Sequence, residues 1–227
     1  ARRALRGRRL RDATFGLVTR TSPSDANAMY YPQQAYGKSV AIDGDIAVVG
    51  APGDSNEKGA AYVLRTTDGG ATYVELAKLT ASDPEMAAYF GKSVAIDGDT
   101  IVVGSPYDDD AGSQSGSVYV FRTSNGWATH TEIELTAADT ASGDLFGRSV
   151  AIDGDTIVVG SPSDDDSGSA SGSAYVFRTS DGGATYGQVA KLTASDAATS
   201  DNFGHSVAIA GNTVVIGAYQ WNNGGSG

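Results

Sequence analysis

The same phrase returns four times along this chain. Residues 36–52 read YGKSVAIDGDIAVVGAP, 90–106 read FGKSVAIDGDTIVVGSP, 146–162 read FGRSVAIDGDTIVVGSP and 203–218 read FGHSVAIAGNTVVIGA. The glycines that open the phrase, Gly37, Gly91, Gly147 and Gly204, lie 54, 56 and 57 residues apart. Self-similarity at such a period means one supersecondary unit copied along the chain, each copy burying its apolar face on the next.

Each period parses into four strands. The first is Ser93–Ile96, closed by Asp97-Gly98-Asp99, and Asp-Gly between apolar runs is a strong signal for a type I′ hairpin. The second is Thr100–Gly104, whose Ile-Val-Val run suits burial on both faces. Gly-Ser-Pro then interrupts the ladder, since proline has no amide to donate. An acidic Gly/Ser loop leads to a third strand, Ser117–Arg122, and a short turn to a fourth, such as Val74–Leu79. In the last repeat the hairpin becomes Ala210-Gly211-Asn212, which keeps the turn without its charges and argues for a geometric role.

Four antiparallel strands per period make a propeller blade, so the expected fold is all-β, a β-propeller of four-stranded blades. Residues 13–26 match 184–197 at an offset of three periods, which places the last strand of a preceding blade near the N-terminus. The expected layout is a basic tail over 1–12, then the strand and loop of a preceding blade over 13–35. Blades follow over 36–89, 90–145 and 146–202, with a partial blade over 203–227. That makes fifteen strands where a four-blade ring needs sixteen, so we expect an incomplete ring of about four blades that self-associates through uncovered faces. Val94, Val102, Val103, Val150, Val158 and Val159 are the expected core.

The Phe-Gly opening (Phe90-Gly91) and the Gly-Ala-Pro or Gly-Ser-Pro close (Gly50-Ala51-Pro52, Gly104-Ser105-Pro106) resemble the FG-GAP repeat of integrin α-chain head domains. The resemblance implies a non-catalytic, extracellular or cell-surface binding or adhesion module, with remaining blades in a longer chain. Integrin-type repeats carry a long aspartate-rich calcium loop between the first two strands. Here only Asp-Gly-Asp stands there, as at Asp43–Asp45, too short to wrap the six to eight oxygens calcium takes. A second likeness lies between strands three and four. Thr66–Tyr73 and Thr179–Tyr186 resemble the Asp-box turn of sialidase-type propellers, and Thr123–His130 is a degraded copy with Asn125 and Trp127.

Charge narrows the function classes. The net charge of −11 includes six arginines within residues 1–12; beyond Asp12 the chain holds 10 basic and 26 acidic residues. Such a body repels nucleic acid and favours cations or basic partners. No apolar run is long enough to form a membrane-spanning helix. There is no cysteine, and the two histidines lie in no catalytic pattern. Arg65, Arg122 and Arg178 recur at one place per blade, as architecture does, so no enzyme is expected.

Strand topology puts the loops between strands two and three on one face with the loops that join blades. That face collects the candidate metal ligands Asp108, Asp109, Asp110, Asp164, Asp165 and Asp166, where calcium is the ion the acidic loops would take. It also collects the candidate ligand-binding residues Asp83, Glu85, Asp139 and Asp144, with Tyr30 and Tyr31 from the unrepeated stretch Asn27–Ala35. A protein ligand fits this face best. The alternative, from the Asp-box-like turns, is a carbohydrate-directed propeller, sialidase-like or lectin-like, with a glycan as partner.

Overall fold

The computed structural model describes residues 35–220, and they form an arc of β-propeller blades. Strands β1–β4 (Ser39–Asp43, Ile46–Ala51, Ala60–Arg65, Val74–Leu79) pair in chain order into one antiparallel sheet. Strands β5–β8 (Ser93–Asp97, Thr100–Ser105, Ser117–Arg122, Thr131–Leu135) and β9–β12 (Ser149–Asp153, Thr156–Ser161, Ser173–Arg178, Gly187–Leu192) repeat it. Strands β13 (Phe203–Ala210) and β14 (Thr213–Ala218) begin a fourth blade. The first strands line up in sequence, β1 against β5, β5 against β9 and β9 against β13, and no comparable contact among the described residues joins β13 back to β1. The proposed strand within residues 13–26 lies outside the described residues.

All six valines expected in the core are buried. Phe90 and Phe146 wedge into the seams between blades, each within 6 Å of a tyrosine and a phenylalanine on the third strand. Among the described residues the faces at the two ends of the arc are the exposed ones. Val40 on β1 is 70% exposed, whereas its repeat equivalents Val94 and Val150 are 8% and 9% exposed. Val215 on β14 is 64% exposed, whereas Val102 and Val158 are fully buried.

Glycine sets the blade spacing. A Cβ added to Gly50 would lie 2.1 Å from the Gly91 carbonyl oxygen, and the corresponding distances are 2.0 Å from Gly104 to Gly147 and 1.9 Å from Gly160 to Gly204. The partner glycines take φ near +88°, a region that favours glycine, and their carbonyls press on the preceding blade. Ser39, Ser93 and Ser149 each donate a hydroxyl hydrogen bond of 2.8 Å to the same carbonyl.

The hairpins differ from expectation. Their two central residues are Gly-Asp, as in the pairing Asp43↔Ile46 around Gly44-Asp45, and only the glycine has positive φ. This is the type II′ pattern, which needs glycine first, rather than type I′. The leading aspartate is thereby freed to reach sideways. Asp43, Asp97 and Asp153 accept the amide hydrogens of Gly98, Gly154 and Gly211 in the next blade, at 2.7, 2.6 and 2.5 Å. The turn is therefore more than geometric; Ala210, at the same place in the last described hairpin, has no carboxylate for such a contact.

Between strands three and four, the Asp68 carboxylate accepts the Thr72 hydroxyl (2.6 Å) and amide (2.9 Å), and Thr66 Oγ1 accepts the Gly70 amide. Asp181 does the same with Thr185. The copy with Asn125 keeps the turn by bonding Thr129, and buries Trp127 at the glycine position with φ +74°. Hydrogen bonds from Thr72 and then Thr66 hold the Asp68 carboxyl down at about 2, and those from Thr185 and Thr179 depress Asp181 likewise.

Two outcomes follow from these contacts. Gly104→Ala drives a methyl into backbone that cannot yield and should cost about 3 kcal/mol in urea unfolding. Gly98→Ala meets open space and only an unfavourable φ, costing about 1 kcal/mol; equal losses would contradict the seam. A carboxyl whose folded pKa is depressed contributes stability above its unfolded pKa and loses it as pH falls through the folded one. Between pH of about 4 and 2, the double variant D68N/D181N should therefore lose less melting temperature than the parent chain.

Candidate functional site

The two loop faces are as the strand order requires. Hairpin Gly98-Asp99 shares a cleft with Arg122 and the turn at Gly182-Gly183 on one face. The opposite face carries the acidic loops. Among the described residues three carboxylate groups form there: Asp83 with Asp110 and Glu134; Glu85 with Asp108 and Asp110; Asp139 with Asp164 and Asp166. Within each group one oxygen per residue lies within 4.8 Å of the others.

The aspartate triplets divide their labour by position. Asp108 and Asp164 are buried, at 2% and 3% exposure, which their place in a loop does not foretell. Asp108 accepts the Tyr119 hydroxyl (3.0 Å) and that of Ser117 (3.2 Å); Asp164 accepts those of Tyr175 (2.7 Å) and Ser173 (3.0 Å). Asp54 is held the same way by Tyr62. Asp109 and Asp165 are exposed and tie down their own loops, accepting the amides of Gln114 and Ala170. Asp110 and Asp166 are exposed and join the clusters beside the buried Asp108 and Asp164. The triplets thus place two of three carboxylates where an ion could meet them.

What faces the buried aspartate decides the electrostatics, and it comes from the fourth strand. Lys78, Glu134 and Lys191 stand opposite Tyr62, Tyr119 and Tyr175 in the same strand register. Lys78 pairs with Asp54 at 3.1 Å. Lys191 Nζ reaches Asp164 (3.0 Å), Asp139 (2.6 Å) and Asp166 together. The second blade has Glu134 instead, with its carboxylate 2.8 Å from the Ser117 hydroxyl.

Equivalent groups therefore titrate in opposite directions. Burial pushes the Asp108 carboxyl up, and no cation offsets it. Burial acts on Asp164 too, but hydrogen bonds from Tyr175 and Lys191 outweigh it and hold that carboxyl low. Burial likewise raises Asp110, with Asp108 and Asp83 adding to it, and raises Glu134, with Asp110, Asp108 and Asp83 repelling its charge. Lys191 is raised despite burial, chiefly by Asp139 and Asp166.

The remaining candidates separate. Asp83, Glu85 and Asp139 join the clusters. Asp144 is buried and does not: its carboxylate accepts the Ala141 amide of its own loop (2.7 Å). Asp201 repeats that bond at Ala198. Tyr30 and Tyr31 lie outside the described residues. The residues missed in the sequence, Glu134 and Lys191, carry a visible signal: aligned repeats read Lys-Leu, Glu-Leu and Lys-Leu at the end of the fourth strand.

The family model for the FG-GAP repeat matches residues 17–64, 73–121, 130–177 and 186–227. The two central matches each run from a fourth strand through the first three strands of the next blade. Among solved structures, the crystal structure of the Saccharomyces cerevisiae Sqt1 is similar at 12% identity and a TM-score of 0.45, over 75% of this chain and 38% of that one. The chain thus spans well under two thirds of that structure's length. No curated protein matches the sequence. No helix among the described residues is long and apolar enough to cross a membrane.

Removing the partner of a buried charge costs more than removing a repelling one. In chelator, Lys191→Met should destabilise by about 3 kcal/mol, because Asp164 is left charged and unpaired. Glu134→Gln should raise the melting temperature. Loss of stability in both would contradict the contrast between a lysine-paired aspartate in the third blade and a glutamate-faced one in the second.

Proposed function

The chain belongs to the FG-GAP repeat family, and we propose that it is a non-catalytic, extracellular adhesion or binding module whose acidic loop face engages a basic surface of a protein ligand. The observation that carries this reading is the division of labour across the blades. The residues that recur in register, the seam glycines, the serines, the tyrosines and the leading hairpin aspartates, are consumed by holding blades together. What varies from blade to blade is the charge set around the buried aspartates of one loop face, Lys78, Glu134 or Lys191 opposite the tyrosine and Glu85 where the next repeat has Ala141. A rigid scaffold presenting variable loops is a common design for recognition, and clustered like charge steers an oppositely charged partner to the surface. FG-GAP repeats are typical of extracellular proteins, which supports that location.

Binding of the immobilised chain to a lysine decamer and a glutamate decamer, in chelator, tests the face. The lysine peptide should bind alone, weaken with salt, and weaken about tenfold further in the triple variant D83N/E85Q/D139N. Equal binding of both peptides, or an unchanged triple variant, would rule the acidic face out as the contact surface.

A further inference from the structure

We propose that the second blade binds a divalent cation, calcium by its all-oxygen ligand set, among Asp83, Glu85, Asp108, Asp110 and Glu134, at the place its neighbour fills with the Lys191 ammonium. The strongest support is inside the same molecule. Three of these residues, Asp83, Asp108 and Asp110, have Asp139, Asp164 and Asp166 as their repeat equivalents, and those three ligate a cation, the Lys191 ammonium. The first blade also supplies its buried aspartate with an ammonium, from Lys78.

The second blade keeps the carboxylates and inverts the cation. Glu134 occupies the lysine's register position opposite Tyr119, so the built-in ammonium is replaced by a fourth carboxylate. Glu85, where the next blade has Ala141, adds a fifth. Among the described residues no lysine or arginine forms an ion pair with any of the five. A cluster built on an aspartate with 2% exposure is costly without a counter-charge, and the two other blades show what the position holds when it is satisfied.

The dimensions suit a hard cation. Calcium takes six to eight oxygens at about 2.3–2.6 Å, so oxygens across the ion stand up to about 5 Å apart. Asp83–Asp110–Glu134 and Glu85–Asp108–Asp110 are two triads that share Asp110, and within each triad one oxygen per residue lies within 4.8 Å of the others. Bidentate carboxylates and water complete such a shell. The same logic withdraws the third blade from the candidates, because Lys191 competes for the Asp164–Asp166 loop.

This deepens the acidic-face reading and rests on it for location, yet it is tested without any peptide, so either can fail alone. The full chain, stripped by chelator, is titrated with calcium chloride in a calorimeter while its melting temperature is followed. The parent chain should take up one calcium and melt higher as calcium rises. E134K restores the ammonium found in the sister blades; it should remain folded, give no calcium heat and melt independently of calcium. E134Q, which disturbs the fold least, should bind at least about tenfold more weakly. Absence of calcium heat in the parent chain, or heat that persists unchanged in E134K and E134Q, would overturn the proposal.

Discussion

A carbonyl oxygen pressed against a bare Cα holds this arc together. Each Phe-Gly glycine, at positive φ, turns its carbonyl onto the closing glycine of the preceding blade, where a methyl group would stand about 2 Å from it. Sheets that approach so closely bring the Phe90 and Phe146 wedges, the valine faces and the serine hydroxyls into register. The hairpin aspartates then fasten the other end of the same seam. The two glycine-bearing ends of the repeated phrase are therefore a single contact shared between neighbouring blades. Gly37, whose repeat equivalents are crowded, has open space around a Cβ.

A seam that is fixed at the innermost strand leaves the loops of one face free to differ. The third-strand tyrosine holds a buried aspartate in each of the three four-stranded blades among the described residues, and a buried carboxylate calls for a counter-charge. Two blades answer with a lysine on the fourth strand. The second answers with a glutamate and gathers four more acids around it. Function is read here from a broken repeat: one inverted charge against a background in which sister blades show the balanced state.

Most of the fold could be read in the sequence. The strands, the buried valines and the open arc follow from period, alternation and turn residues, which act locally. The hairpin type did not, because Asp-Gly-Asp offers two overlapping central pairs and only the cross-blade reach of Asp43 and Asp97 favours Gly-Asp. The acidic loops stood out in the sequence, but the place of each carboxylate within them did not. Asp108, Asp109 and Asp110 look alike in sequence, but the first is buried under Tyr119, the second caps its loop and the third faces the cluster. Glu134 escaped notice because its meaning lies across a strand pair, opposite a tyrosine. The bond that the Asp144 carboxylate accepts from its own loop backbone is likewise invisible in the sequence.

If the glycine seams couple the blades, the described sheets should open as one unit rather than one by one. Native-state hydrogen exchange of the full chain measures this directly. The account predicts that the slowest amides of β2, β6 and β10 exchange with one common opening free energy, which denaturant lowers in parallel. Three separate opening free energies, with one blade exchanging while its neighbours stay protected, would contradict it.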